Sequence, residues 1–285
     1  MEIKTLAVIG AGTMGRGIAQ VAAMGGYDIC LVDVEEKILQ NAVGEIQKKL
    51  QKGVELGKVS PEQQKASLER IKTTTDRKLA ASRADFVIEA VPEIIALKIE
   101  VFQDLDRVCP PHAILATNTS GLSITEIATS TRRPEKVIGM HFFNPVHLMK
   151  LVEIVRGMET SDETLAFTKE VAARMGKEVV EVNESPGFVT SRINALIGNE
   201  AFYLLQEGVA RAEDIDKAIK FGLNHPMGPL ELGDLVGLDA RLRVLEHLHA
   251  TLGEKYRPCP LLVKYVKAGR LGRKTGRGVY DYTRK

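Results

Sequence analysis

The sequence predicts an α/β fold in which a doubly wound parallel sheet is followed by a smaller all-helical C-terminal domain. Three observations carry this. Short apolar runs of strand length alternate with stretches of helical periodicity over the first two thirds of the chain. A glycine-rich turn stands at the first strand-to-helix junction, Gly10 to Gly15. After the turn at Pro186-Gly187 only helical spacing of apolar residues is found. The expected division is 1–184 and 185–285.

Thr5–Ile9 (TLAVI) is a continuous apolar run, as a parallel strand buried on both faces requires. Beyond the glycine turn, Met14, Ile18, Val21 and Ala22 recur at helical spacing, and Gly25-Gly26 stops the pattern. A second strand, Ile29–Val32 (ICLV), ends in Asp33. A long polar helix is expected over Val34–Lys52, and another helical stretch opens at the N-cap Ser60 with Pro61 in its first position. The charges of these helices suit a solvated face, although Lys48, Lys49 and Lys52 together could instead meet an acidic ligand. The sheet resumes with Asp85–Glu89 (DFVIE), continues through a helix over Glu93–Val108, and reaches Ala113–Ala116 (AILA), which runs into Thr117-Asn118-Thr119-Ser120. Polar residues after strand C-terminal ends lie where such sheets bind ligands. In the last third, a helix is expected from the Pro186-Gly187 turn to about Gln206, and a second over Ala212–Phe221 with Glu213, Asp214 and Asp216 in its first turns.

The turn Gly10-Ala11-Gly12-Thr13-Met14-Gly15 is GxGxxG, and each residue type has a physical reason. Gly10 permits the tight turn, Gly12 lets the backbone approach a pyrophosphate, and Gly15 lets the helix pack closely on the strand. The free N–H groups of the helix N-terminus then face the anion. Asp33, 18 residues after Gly15 and at the end of the next strand, is placed to accept hydrogen bonds from the adenosine ribose and to repel a 2′-phosphate. A Rossmann-type NAD site follows.

Composition narrows the remaining classes. With 44% hydrophobic and 27% charged residues the 285-residue chain reads as globular, and 39 basic against 37 acidic residues give no field favouring nucleic acid or an anionic membrane. Cys30, Cys109 and Cys259 lie far apart without metal-ligand spacing, and the histidines outside position 141 make no HxxxH or HExxH pattern, so neither a disulfide framework nor a metal site is expected. No apolar run approaches membrane-spanning length, and MEIKTLAVIG enters a strand without the features of a signal peptide. A cytoplasmic protein is the expectation.

The stretch IGMHFFNPVHLMKLVEIV, 138–155, holds His141 at the end of one apolar run and Glu153 inside the next. A buried carboxylate needs a partner. Either His141 is a hydrogen-bonded core histidine with Glu153 facing solvent, or the chain reverses at Pro145 so that Lys150–Val155 runs back beside Val137–Met140 and joins the two side chains. The second arrangement is the usual form of a tuned general base. Oxidation of an alcohol needs one, to take the hydroxyl proton while hydride leaves for nicotinamide.

Five segments together carry a resemblance: GAGTMG at 10–15, TNTSGLSITEIA at 117–128, GMHFFNPVHLMKLVEIV at 139–155, SPGFVTSRI at 185–193 and NHPMGPLELGDLVGLD at 224–239. The chain resembles the short-chain L-3-hydroxyacyl-CoA dehydrogenase family, over nearly its whole length, and HFFNP with Glu twelve residues after its His is far more specific than GxGxxG. The resemblance implies that His141 is the catalytic base, Glu153 its orienting carboxylate and Ser120 the hydroxyl contacting the substrate's 3-oxygen near the nicotinamide. It places Glu93, Lys98, Asn118, Asn144 and Lys274 near the cofactor, with Asn144 also counted among substrate contacts. The family usually has Asn before the Arg of PGFxxNR, where its amide contacts the substrate's carbonyl end; here that position is Ser191. An acyl-CoA substrate and a homodimer formed through the helical domain are implied as well. Outside the resemblance, a dehydrogenase of a free or phosphorylated 3-hydroxy acid and a non-catalytic NAD-binding protein are also compatible with the fold. The basic Arg270, Arg273, Lys274 and Arg277 suit either phosphate contacts or a solvated surface.

Overall fold

The computed structural model describes residues 2–283. The chain divides into two compact units at the step from Glu184 to Ser185. In the first unit the elements run β1 (Thr5–Ile9), α1 (Thr13–Met24), β2 (Asp28–Val32), α2 (Glu36–Glu55), α3 (Pro61–Glu69), β3 (Ile71–Thr74), α4 (Arg77–Ala81), β4 (Phe86–Glu89), α5 (Ile95–Val108), β5 (Ile114–Thr117), α6 (Ile124–Thr129), β6 (Val137–Phe142), β7 (Leu151–Arg156), α7 (Asp162–Arg174) and β8 (Glu178–Asn183). Among the described residues the strands form one sheet in the order β3-β2-β1-β4-β5-β6-β7-β8. β1 to β6 are parallel, β7 runs antiparallel to β6, and β8 is parallel to β7.

The apolar runs become the central strands because both faces of the sheet are covered. Leu6, Val8, Leu31, Phe86, Ile88, Ile138 and Met140 are buried in one cluster with α1 and α2 residues such as Ile18, Leu39 and Ile46. Burial of each such side chain is worth about 1.5–3 kcal/mol. The strand order reverses direction between β1 and β4, and a crevice at such a point is where doubly wound sheets bind ligands. Gly10 lies there with φ +100°, and a Cβ on it would stand 2.7 Å from the Ala90 carbonyl oxygen.

In the first unit α4, α6 and α7 lie outside the sequence reading, and two further features that bear on the site depart from it. β3 was not anticipated, because IKTT has one apolar residue and none of the alternation of a half-buried strand; it forms by pairing its backbone with β2 at the sheet edge. α5 begins at Ile95, not Glu93, and Glu93 is left in the preceding turn with its carboxylate turned to the 119–120 loop. α3 has the full capping box at its start, Ser60 accepting from the Gln63 N–H and Gln63 accepting from the Ser60 N–H.

Gly15 supplies the first prediction. A Cβ there would fall 1.7 Å from the Gly10 carbonyl oxygen, a backbone atom that cannot move without opening the turn. Gly15→Ala is expected to lower unfolding stability by about 1–3 kcal/mol and to weaken NADH binding more than tenfold; urea titration and NADH fluorescence check both, and wild-type values for the variant would refute the close-packing argument.

The second unit contains α8 (Thr190–Gln206), α9 (Ala212–Gly222), α10 (Pro229–Val236), α11 (Leu238–Leu252) and α12 (Pro260–Lys267). Phe202, Leu230, Leu245 and Tyr256 lie in its buried core. The buried Asp216 accepts from the N–H groups of Leu230 and Glu231 and from the Tyr280 hydroxyl, which anchors α10 to α9 and to the C-terminal segment. The basic residues near 270–277 are mostly engaged inside this unit: Arg270 donates to the Gly278 carbonyl, Arg273 pairs with Glu231, and Lys274 pairs with Asp239.

Candidate active site

β6 and β7 place His141 and Glu153 directly opposite one another in an antiparallel ladder, so both side chains project from the same face. His141 Nδ1 lies 2.7 Å from Glu153 Oε2, and Glu153 is only 1% exposed. Burial excludes the arrangement in which Glu153 faces solvent. An ionised carboxylate only accepts, so the shared proton rides on Nδ1 and the basic lone pair of the ring sits on Nε2. The Phe143 ring lies against the imidazole, with centroids 4.5 Å apart. The following Asn144-Pro145 peptide is cis, and Asn144 is exposed at that turn.

The ends of β4 and β5 meet this pair through polar contacts. Asn118 donates its N–H to the Glu89 carbonyl and accepts the Phe142 N–H on Oδ1 at 2.9 Å, tying the β5 end to the residue after His141. Glu89, wholly buried, takes the Lys98 ammonium at 2.7 Å, the Thr117 hydroxyl at 2.6 Å and the Val91 N–H at 2.7 Å. Lys98, buried to the same degree, lies 3.4 Å from Glu93. Glu93 in turn accepts the Thr119 hydroxyl and both the N–H and the hydroxyl of Ser120. The loop carrying Ser120 therefore hangs from a carboxylate that is itself held by the buried ammonium. The sequence reading has Thr117 and Thr119 in the polar run after the strand without a role of their own, and does not single out Glu89. For Glu89 a signal was present, since DFVIE puts an acid inside an apolar run just as LVEIV does.

At the first strand end, Asp33 accepts the Ala11 N–H at 2.7 Å and the Val34 N–H at 2.8 Å. The glycine loop is thus fastened to the β2 end. Beyond it opens a cavity of about 650 Å3 whose lining includes Gly10, Asp33, Thr75, Arg77 and Lys78. A Cβ on Gly12 would meet nothing within 4 Å, whereas Gly10 and Gly15 are closed off by backbone. The loop is pressed tight on its strand side and open on the other, as a site for a dinucleotide requires.

A second cavity, about 420 Å3, is lined by Lys49, Lys52 and Lys58 from the α2 side and by His147, Lys150 and Lys177 around the starts of β7 and β8. β7 runs antiparallel to β6 and β8 parallel to β7, so Lys150 and Lys177 lie at the same end of the strands as His141. Lys177 donates to the Val146 and Met149 carbonyls and so braces the turn after Pro145. Burial lowers its pKa; burial followed by the charges of Lys49 and Lys177 lowers that of His147. Among the described residues no partner reaches the buried His147 Nδ1 or Gln20 Oε1 in this cavity wall.

In the first unit Gly10 to Gly15, Asp33, Glu93, Asn118, Ser120 and His141 lie at or just after strand C-terminal ends, Lys98 in the first turn of α5, and Glu153 near the start of the antiparallel β7. Ser191, in the first turn of α8, and Lys274, paired with Asp239, belong to the second unit.

A family model described as 3-hydroxyacyl-CoA dehydrogenase, NAD binding domain, matches residues 5–185, and one described as 3-hydroxyacyl-CoA dehydrogenase, C-terminal domain, matches residues 187–282. The chain belongs to the 3-hydroxyacyl-CoA dehydrogenase family. It is 52% identical over 286 residues to a Bacillus subtilis protein named "Probable 3-hydroxybutyryl-CoA dehydrogenase", covering 100% of this chain and 99% of the relative. It is 47% identical to the 3-hydroxybutyryl-CoA dehydrogenase of Bradyrhizobium diazoefficiens, covering 98% and 96% of the two. The crystal structure of (S)-3-hydroxybutyryl-CoA dehydrogenase from Ralstonia eutropha superposes with a TM-score of 0.96 at 43% identity, over 99% of this chain and 100% of that one. The resemblance and the fold class read from the sequence both hold. The cofactor of this family's N-terminal domain is NAD, and the open face at Gly12 and the acid at the end of β2 fit it. Among the described residues no group of His, Cys, Asp and Glu could hold a metal ion, and no helix is long and apolar enough to cross a membrane.

Proposed function

We propose that this member of the family interconverts (S)-3-hydroxyacyl-CoA and 3-oxoacyl-CoA, with 3-hydroxybutanoyl-CoA and acetoacetyl-CoA as the principal pair. The observation that carries this reading is the His141–Glu153 hydrogen bond at the C-terminal end of β6 in an NAD-binding sheet. His141 Nε2 takes the 3-hydroxyl proton as hydride leaves C3, and returns it in the reverse direction. Glu153 orients the ring and stabilises the imidazolium. NAD, when bound, accepts the hydride. Ser120, with the amide of Asn118 beside it, holds the substrate oxygen, and Glu93 and Lys98 set the loop that presents them. Gly10 to Gly15 and Asp33 bind the dinucleotide; Asn144 and Lys274 are assigned to its neighbourhood and Asn144 and Ser191 to the substrate on the family resemblance.

The lysine-lined cavity favours a coenzyme A thioester over a free 3-hydroxy acid, because a phosphorylated carrier supplies the anions that this wall of cations attracts. Acetoacetyl-CoA is expected to saturate NADH oxidation at micromolar concentration while acetoacetate gives no measurable turnover and NADPH serves poorly. Rising salt is expected to raise KM for acetoacetyl-CoA with little change in kcat, since exposed charges are screened. Equal rates with acetoacetate would favour the free-acid reading, and tight NADH binding without any turnover a non-catalytic one. A homodimer is inferred through the second unit, where Phe221, Leu223 and Val236 are exposed apolar residues; light scattering is expected to give twice the 31.3 kDa chain mass.

A further inference from the structure

The adenosine end of the cofactor pocket carries more charge than binding NAD requires. Its lining includes three acids, Asp33, Asp76 and Glu100, and two cations, Arg77 and Lys78. Parallel pairing of β2 with β3, Val32 opposite Thr74, sets Asp33 beside the segment that begins at Thr75. In dinucleotide sites the acid at the β2 end meets the ribose 2′-hydroxyl, and a nearby arginine is what accommodates a 2′-phosphate instead. A guanidinium suits that task because its planar fork donates two parallel hydrogen bonds to one phosphate. This pocket therefore already holds the residue that an NADP site uses.

Arg77 has a carboxylate partner that is not part of the pocket lining. Its guanidinium is ion-paired with Asp104 of α5, the two side chains being 29% and 21% exposed. Asp104 also pairs with Arg107. Burial works to raise the Asp104 pKa, but the Arg107 and Arg77 guanidiniums outweigh it and hold the carboxyl below its ordinary range, so it stays charged at neutral pH. With Arg77 paired in this way, Lys78 is the remaining cation of a lining that holds three acids.

We infer that Asp104 is a second determinant of cofactor choice, a positioning residue that holds Arg77 so that the adenosine pocket offers no guanidinium to a 2′-phosphate. NADP is then rejected twice, by repulsion from Asp33 and by the engagement of Arg77. Asp104 is not in the pocket lining and acts only through Arg77. The inference rests on the assignment of this cavity to the adenosine of NAD.

The test is acetoacetyl-CoA reduction by the full chain with NADH and with NADPH. It compares the unmodified protein, Asp33→Ser, Asp104→Asn, the double variant, and the double variant with Arg77→Ala. Asp104→Asn alone is expected to leave KM for NADH within about twofold of the unmodified value. Asp33→Ser weakens NADH and admits NADPH poorly. The double variant is expected to lower KM for NADPH about tenfold below that of Asp33→Ser, the worth of a charge-assisted hydrogen bond, and Arg77→Ala removes that gain. Equal NADPH KM values in Asp33→Ser and the double variant, or a gain that survives Arg77→Ala, would overturn the inference. If the double variant does not fold, competition with NADH by 2′-AMP against 5′-AMP in Asp104→Asn alone decides: the preference for 2′-AMP rises severalfold if Arg77 is released, and an unchanged ratio overturns the inference. Failure of NADH to bind the unmodified protein, or of Asp33→Ser to weaken it, counts instead against the pocket assignment.

Discussion

Replacing His141 by Gln is expected to lower kcat for acetoacetyl-CoA reduction by about 10²–10⁴-fold, the usual worth of a positioned general acid–base group. That is about 2.7–5.4 kcal/mol of barrier. NADH affinity should stay within about twofold, because the glycine loop is fastened by Asp33 and closed off by the Ala90 backbone, and neither contact involves His141. Gln keeps most of the side-chain volume and offers an amide donor to Glu153, so the buried carboxylate retains a partner and the sheet should fold. Glu153→Gln tests the other half of the pair. Its amide can donate to Nδ1 and so favour the tautomer that carries its proton on Nε2, the wrong one for a base; Asp substitution in a comparable triad costs about 10⁴-fold. Stopped-flow or steady-state NADH oxidation, paired with NADH fluorescence titration, separates chemistry from binding. A His141→Gln protein that reduces acetoacetyl-CoA near the unmodified rate would remove the assignment, whatever its family.

Replacing Lys98 by Met should have the largest effect on stability. The ammonium is 1% exposed and its partner Glu89 not at all, so the substitution strands a carboxylate in the interior. Breaking a buried pair by removing one member costs about 3–5 kcal/mol. The second substitution, Glu89→Gln in the Lys98→Met background, should recover more than half of that, since the amide is neutral and its oxygen can still accept from Thr117 or Val91. Urea midpoints with unchanged m-values measure both steps. Activity is expected to stay low in the double variant even as stability returns, because Glu93 has then lost the ammonium that holds it and the Ser120 loop hangs from Glu93. A Lys98→Met protein within 1 kcal/mol of the unmodified one would show that the ammonium is not what keeps Glu89 buried.

Much of this site could be read from the chain because its chemistry is written in short contiguous motifs. A GxGxxG turn after an apolar run, closed by an acid at the next strand end, constrains backbone dihedral angles and close approaches that only glycine tolerates, and these requirements are local. The segment 138–155 was legible in part for a related reason: two apolar runs separated by an Asn-Pro turn allow a reversal that brings Glu153 beside His141, one of the two arrangements open to it, and the β6–β7 register is the one that realises it. Residues whose role depends on a neighbour distant in sequence were not. Lys98 entered only through the family resemblance, and its partner Glu89 was unmarked. β3 has no apolar pattern of its own and exists because β2 offers it a backbone to pair with. The lysines of α2 read as a solvated face; Lys48 and Lys52 do pair with Glu45 and Glu55 at the surface, yet Lys49 and Lys52 also line a cavity with Lys150 and Lys177, about a hundred or more residues away.

By itself, then, the sequence determined the strands β1, β2, β4, β5, β6 and β7 and the helices α1, α2, α3, α5, α8 and α9, where the dinucleotide loop lies, and that a histidine and an acid sit on neighbouring runs, because periodicity, turn chemistry and glycine's dihedral freedom act over a few residues. Only the tertiary structure decided that β6 and β7 pair with His141 opposite Glu153 and not one residue out of step, a slip that would turn one side chain to the other face of the sheet. It also decided that Glu89 holds Lys98, and that Asp104 pairs with Arg77 beside the cavity at the end of β2. Charges in the interior are stabilised only by a partner at contact distance, and which residues come within that distance is set by strand order and register across the whole sheet.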